Sequence, residues 1–324
     1  FTKRSEPTAE ARLEKFQKTQ GAPDTVAAEW TVDVDQEWHQ YRGPARDGEV
    51  RNVPADVDWT VTPEEVWRHP VGAGWSSFSI AQSTLLSPQS DTPPLRKAYL
   101  FTQEQRGELE CVVAYDAESG DQLWVHEDSI RFAETLGGPG PRATPTVDVQ
   151  LIYSLGATGQ LNCLKALTGE KVWATNILED AGAKNLDWAM AGSPLVVGNK
   201  VIVNPGGGRN SGVIAYDKAT GEKVWAVGND PASYTAPVQA TLLEQEQVII
   251  FGGTGSVGHD LETGKELWRF KWENGPKVNA AVPTLIDDSS IMISCGYAIG
   301  STLLRFSHEG DNWKVASEWK STRL

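Results

Sequence analysis

The sequence predicts an all-β fold, a β-propeller of four-stranded antiparallel blades. Three observations carry that prediction: a tryptophan-ended segment that recurs four times without gaps, an interval between copies long enough for four short strands, and a composition suited to strands and tight turns. The segments are AYDAESGDQLW (114–124), CLKALTGEKVW (163–173), AYDKATGEKVW (215–225) and GHDLETGKELW (258–268), and their tryptophans stand 49, 52 and 43 residues apart. Weaker copies end at Trp67 and Trp319, 57 and 51 residues from their neighbours. With 31 glycines, 18 prolines, 13 tryptophans and only 2 methionines, the 324-residue chain reads as many short strands rather than a helical bundle.

Between successive tryptophans the pattern is shared. In the third unit it runs SPLVV (193–197), KVIVNP (200–205), GVIAYD (212–217) and KVWAV (223–227), four apolar runs separated by turns, which is one antiparallel sheet. Equivalent starts are TPTVD (144–148), APVQA (236–240) and VPTLI (282–286). Five complete blades are predicted, beginning near Phe78, Thr144, Ser193, Thr235 and Ala280 and ending on the strands of Trp124, Trp173, Trp225, Trp268 and Trp319. A lone fourth strand around Trp67 precedes them.

The recurring segment has a local mechanism. Asp116, Asp217 and Asp260 can accept backbone N–H bonds in the turn that follows, and Gly120, Gly169, Gly221 and Gly264 can take the positive φ a tight hairpin demands. The tryptophan then falls on the outer strand, where a flat ring can cover the seam with a neighbouring blade. Trp67, Trp124, Trp173, Trp225, Trp268 and Trp319 are therefore expected to be structural docking residues.

Charge and cysteine usage narrow the function. The balance of 29 basic to 43 acidic residues, a formal charge of −14, comes with no Lys/Arg stripe, which argues against nucleic acid. No apolar run reaches the roughly 18 residues of a transmembrane helix, and FTKRSEPTAE (1–10) has no apolar signal core. Cys111, Cys163 and Cys295 fit neither a C-x-x-C metal pattern nor a disulfide framework and are expected to be buried free thiols.

The pattern Ala-x-Asp-x-x-x-Gly-x-x-x-Trp resembles the tryptophan-docking motif of the pyrroloquinoline-quinone (PQQ) propeller superfamily. The copies at Ala114 and Ala215 match it in full, whereas Cys163 with Lys165, and Gly258, depart from it. That superfamily includes quinoprotein alcohol dehydrogenases and the BamB scaffold of the outer-membrane barrel-assembly machine. WHQYRGPARDG (38–48) and GPRATPTV (140–147) are similar to segments of exported, planctomycete-type PQQ-like propellers. The resemblance covers residues 38–324 and leaves 1–37 as an amino-terminal extension with a short helix in 8–21. It implies a periplasmic or exported protein and a parent ring of eight blades. By that count two blades and three strands, roughly 100 residues at the repeat size of such folds, would come from sequence beyond Leu324 or from a second chain.

The enzyme reading finds little support in the residues. A quinone-dependent dehydrogenase needs a cation held by oxygen ligands and an aspartate base, and the family's alcohol dehydrogenases stack an adjacent cysteine pair on the quinone. No Cys-Cys occurs, and the most recognisable aspartates already form turns. NPGGGRNSG (204–212) lacks the Gly-Lys-Ser/Thr of a phosphate loop, and His39, His69, His126, His259 and His308 show no metal-ligand spacing. Asp287 and Asp288 read as a solvated turn. Recognition is expected instead on the long connections 127–142, 176–191, 227–235 and 271–279 and their neighbours, which offer Trp75, Arg142, Trp188, Arg209, Tyr234, Trp272 and Tyr297 as binding residues. The expected function is a non-enzymatic binding or scaffold propeller of the cell envelope that takes a protein, peptide or glycan and holds no cofactor. The alternative is a PQQ-dependent or other oxidoreductase sited in the channel.

Overall fold

The computed structural model describes residues 7–20, 29–30, 38–51, 58, 60–85, 95–310 and 312–322, which are nearly all strand, turn and loop. Helix α1 (Ala9–Gln17) opens the chain, with the Thr8 side chain accepting the Ala11 N–H at 3.2 Å as an N-cap. Strands β1 (Glu29–Trp30), β2 (Ser79–Leu85), β3 (Leu95–Arg106), β4 (Leu109–Asp116) and β5 (Gln122–Asp128) form the first sheet in that order. A small hairpin follows, β6 (Ala133–Glu134) with β7 (Gly138–Pro139).

Four more sheets repeat the plan, each an antiparallel meander of four strands. The second comprises β8 (Thr146–Asp148), β9 (Leu151–Leu155), β10 (Gln160–Lys165) and β11 (Lys171–Asn176), and helix α2 (Ile177–Ala181) comes after it. The third is β12 (Leu195–Val197), β13 (Lys200–Val203), β14 (Val213–Asp217) and β15 (Lys223–Val227). The fourth is β16 (Val238–Leu242), β17 (Gln245–Gly252), β18 (Gly255–Asp260) and β19 (Glu266–Lys271). The fifth is β20 (Thr284–Asp287), β21 (Ser290–Cys295), β22 (Gly300–Glu309) and β23 (Asn312–Ser321).

The chain divides into two compact units, Phe1–Ile152 with Leu164–Lys171 and Tyr153–Cys163 with Val172–Leu324. In the first, Phe101, Ala114, Trp124, Val147, Ile152 and Leu164 form one buried cluster. In the second, Ile202, Ala215, Trp225 and Val248 form one cluster, and Phe251, Trp268, Ile291 and Phe306 belong to another. The last-but-one strand is buried almost throughout in the first four sheets, as in β4 and β14, because residues on both of its faces meet other side chains. The last strand is mostly wet. Its one buried residue in β5, β15 and β19 is the repeat tryptophan.

Ladder register explains the motif. Trp124 lies opposite Ala114, Trp225 opposite Ala215 and Trp268 opposite Gly258, so a small residue sits where the indole crosses the neighbouring strand. In each of these pairs the register slips immediately afterwards, between Ala114 and Tyr115, Ala215 and Tyr216, and Gly258 and His259. A bulge at that point re-aims the next side chain and accentuates the local twist.

Four of the indoles reach forward to the next turn. Trp67 Nε1 donates to the Ala117 carbonyl at 3.0 Å, Trp124 to Ala166 at 2.9 Å, Trp173 to Lys218 at 3.0 Å and Trp225 to Leu261 at 3.3 Å. The motif glycines face those rings. A Cβ on Gly120, Gly169, Gly221 or Gly264 would lie 2.6, 2.5, 2.7 or 2.7 Å from the nearest ring atom of Trp67, Trp124, Trp173 or Trp225, and all four glycines have φ between 70° and 75°. Neither the space nor the backbone there accepts another residue at low cost.

Three sequence expectations need correction. Residues 62–72 form no strand, although Trp67 makes the expected contact: the segment lies beside α1, with the Phe16 and His69 rings stacked at 4.4 Å, and has no ladder partner there. Trp268 bonds within its own sheet, to Gln247 Oε1 at 2.5 Å, and packs on Phe306 at 4.7 Å. The departure at Gly258 permits this, because a Cβ there would collide with the Trp268 indole. Trp319, opposite the bulkier Leu303, is 49% exposed.

Candidate functional site

In the first unit, the connection after β5 is folded around one half-buried ion pair. Arg142 donates to Glu134 at 3.2 Å and to the carbonyls of Gly138 and Gly140 at 2.9 and 3.0 Å, and it lies over the Phe132 ring at 5.5 Å. Burial pulls its guanidinium below the ordinary arginine range, and the Glu134 charge opposes that shift. Glu134 in turn accepts the N–H groups of Leu136, at 2.6 Å, and Gly137. Arg142, expected to be a binding residue, is therefore the internal brace of its loop.

That brace presents an apolar surface. Trp75 donates from Nε1 to the Gly137 carbonyl at 2.7 Å, and its backbone N–H bonds Pro141 at 2.8 Å, yet the residue is 67% exposed. Leu136, next to Gly137, is 79% exposed. Sequence reasoning named Trp75 and missed Leu136 and Glu134. Only the Gly-Gly-Pro run after Leu136 hinted at a turn that had to be pinned.

The second unit holds the other candidates. Trp188 and Tyr234 pack with ring centroids 5.4 Å apart, and the tyrosine hydroxyl accepts the Trp188 N–H at 3.4 Å. The Tyr234 N–H is bonded to the carbonyl of Asn279, a fully buried residue whose side-chain amide also bonds the Gly252 carbonyl at 2.8 Å. Trp272 is only 6% exposed and belongs to the core, so it is corrected from a binding to a packing residue; Lys320 Nζ covers its ring at 4.9 Å. Arg209 and Tyr297 are exposed at loop tips with φ of 58° each, and neither is brought against another residue of the predicted set.

The opening segment of the sequence contributes a residue that was passed over. Arg46 is buried, with Nε on Gln40 Oε1 at 2.8 Å and Nη2 near Thr146 Oγ1 at 3.4 Å, and burial pulls its guanidinium down to about 9. The carbonyls of Trp38 and His39 accept from Ile80 and Val147 at 2.8 Å each, so this segment ties β2 of the first sheet to β8 of the second. Its motif was visible in sequence, but its burial was not.

Residues 108–294 match a family model described as outer membrane protein assembly factor BamB. The chain belongs to this BamB-like family of PQQ propellers. Among curated proteins it is 27% identical over 152 residues to quinohemoprotein alcohol dehydrogenase ADH-IIG of Pseudomonas putida, covering 45% of this chain and 21% of that enzyme. It is 31% identical over 131 residues to the quinohemoprotein alcohol dehydrogenase of Comamonas testosteroni, covering 37% and 18%. The chain thus matches about a fifth of the length of these enzymes. The crystal structure of the Comamonas enzyme superimposes with a TM-score of 0.53 at 16% identity, covering 85% of this chain and 46% of the enzyme, a likeness of fold.

Family membership raises the question of a quinone held beside a cation. Among the described residues no three His, Cys, Asp or Glu side chains converge to hold an ion. The three cysteines are separate and buried, and burial pushes the Cys111 thiol up to about 12. Asp116, Asp217 and Asp260 spend their carboxylates on turn N–H groups at 2.8–3.1 Å. No helix of the described residues is long and apolar enough to cross a membrane.

Proposed function

We propose that this BamB-like propeller is a non-enzymatic binding or scaffold protein of the cell envelope, and that it takes a protein or peptide on its connecting loops. The observation that carries this reading is the Trp75–Leu136 surface. Two large apolar residues stand in water, Leu136 on a loop braced by the Arg142–Glu134 pair and Trp75 hydrogen-bonded to the Gly137 carbonyl of that loop, so little ordering entropy remains to be lost when a partner covers them. Tryptophan is also the residue type most enriched among binding hot spots. The family description, an outer membrane protein assembly factor, supports both the kind of partner and the compartment.

The test is site-specific photo-crosslinking in the native cell. A benzophenone side chain at Leu136 is expected to give one discrete protein adduct in the envelope fraction. The same probe at Glu118, exposed on an Asp-to-Gly turn, is expected to give none. Equal adducts at both positions, or none at Leu136, would refute the reading, as would a quinone extracted from the natively purified protein.

A further inference from the structure

The position after each bulge carries a polar ring, and in two of three copies that ring is closed off by a carboxylate. The Tyr115 hydroxyl donates to Glu104 at 3.0 Å, and the Tyr216 hydroxyl donates to Asp180 at 2.8 Å. In the third copy the ring is His259, which is shorter than tyrosine and has no carboxylate on its tip. A cleft of about 390 Å³ opens there, lined by His259, Gly228, Asn229, Asp230, Glu266 and Arg269 among others. That volume falls within the roughly 300–1,000 Å³ of small-molecule sites.

Two residues that carry hydrogen-bond acceptors line this space. His259 is 2% exposed, and its Nδ1 lies 2.9 Å from the Gly264 carbonyl. A carbonyl only accepts, so Nδ1 carries the proton, and in the neutral ring Nε2 presents a lone pair with no protein partner among the described residues. Burial holds the imidazole below its ordinary range and keeps it neutral, the Gly264 bond opposing that shift. Asp230 commits Oδ1 to Arg269 at 2.6 Å and Thr254 at 2.7 Å, and its Oδ2 has no hydrogen-bond partner among the described residues. A Cβ on Gly228 would stand 4.0 Å from both Asp230 Oδ2 and His259 Cε1, the ring carbon bonded to Nε2, so the carboxylate oxygen and the imidazole edge flank the gap above that glycine.

The charge of the cleft is already balanced. Arg269 neutralises Asp230 and reaches both oxygens of Glu266, at 3.2 and 2.7 Å, with Lys265 beside them. A ligand must therefore donate two hydrogen bonds without bringing charge. From this geometry we infer that the His259–Asp230 cleft binds a neutral saccharide, with two adjacent sugar hydroxyls donating to His259 Nε2 and Asp230 Oδ2. The site is independent of the Trp75 surface and lies wholly within the second unit.

The experiment uses the full chain labelled with ¹⁵N and three probes, methyl α-mannoside, methyl α-glucoside and methyl β-N-acetylglucosaminide, each titrated to about 100 mM, a range that detects millimolar binding. At least one is expected to shift the His259 Nε2 resonance and the amides of Gly228 and Asn229 saturably. His259→Phe, which removes one acceptor, is expected to weaken binding about tenfold. Because His259 is buried, Gly228→Asn serves as the second variant: asparagine tolerates the φ of 74° and fills the gap without touching the core. It is expected to abolish the shifts while leaving the melting temperature close to wild type. The inference fails if none of the glycosides gives a saturable shift, if Gly228→Asn still binds, or if methylammonium displaces the sugar and so reveals a cation site.

Discussion

The indole of Trp173 lies across Gly221 of the following repeat and donates to the Lys218 carbonyl at 3.0 Å, so one repeat's outer strand is fastened to the next repeat's turn. The same relation joins Trp67 to Gly120, Trp124 to Gly169 and Trp225 to Gly264. Glycine is demanded there twice over, by the left-handed backbone and by the ring above it. Gly221→Ala is expected to destabilise the fold by about 1–3 kcal/mol, and Trp225→Ala by about 3–5 kcal/mol. Trp319→Ala, at an exposed ring, should stay within about 0.5 kcal/mol of wild type. Urea midpoints with unchanged slopes would check all three, and a Trp319 effect as large as that of Trp225 would contradict the contacts described.

Removing Arg142 separates bracing from recognition. Arg142→Met leaves Glu134 without its cation and the Gly138 and Gly140 carbonyls without their donor, which should destabilise the fold by about 1–3 kcal/mol. Trp75→Ala removes an exposed ring and one hydrogen bond, so it should abolish partner capture while moving the melting temperature little. If Arg142→Met melts like wild type, the brace is misassigned.

The repeat was legible in sequence because its residues act locally. Asp116, Gly120 and Trp124 answer to a turn, a positive φ and one ring contact, all of which recur at fixed spacing. The meaning of Gly258 emerged only with the register that sets it opposite Trp268. The site was harder to read because burial decides it: Arg142 and Trp272 have the residue types of a binding surface, and tertiary contacts turn both inward. His259 was recognisable as the odd member of its column. The unpartnered Asp230 oxygen beside it depends on Arg269 and Thr254, residues that no local pattern links to it.

Acid should loosen the turns in a predictable direction. The Thr220 amide is the largest influence on Asp217, and with the Ala219 amide it holds the carboxyl below the ordinary carboxylate range. A lowered native pKa means the unfolded chain binds the proton more readily. The contribution is therefore present above the unfolded value of about 3.9 and is lost as pH falls through the native one. Asp217→Asn should lower the melting temperature at neutral pH, and its difference from wild type should shrink as pH falls from about 5 to about 2. A difference that stays constant across that range would show that the charge contributes nothing.

The amino-terminal helix makes a prediction that cysteine chemistry can read. Cys111 is buried in one cluster with Phe16 of α1, Val113 and Tyr115. Burial is the main reason its thiol is pushed up to about 12, with Arg106 pulling down and Glu104 pushing up. Burial disfavours the thiolate and also shields the sulfur, so alkylation by iodoacetamide should proceed only through opening of the cluster. Phe16→Ala removes the helix's contribution to that cover and should speed labelling of Cys111 while leaving Cys295, buried in the other unit with Phe251 and Phe306, at its wild-type rate. Mass spectrometry of timed samples resolves the two sites. Equal acceleration at both would mean that Phe16→Ala had destabilised the whole protein, and no acceleration at Cys111 would mean that α1 does not guard the first sheet.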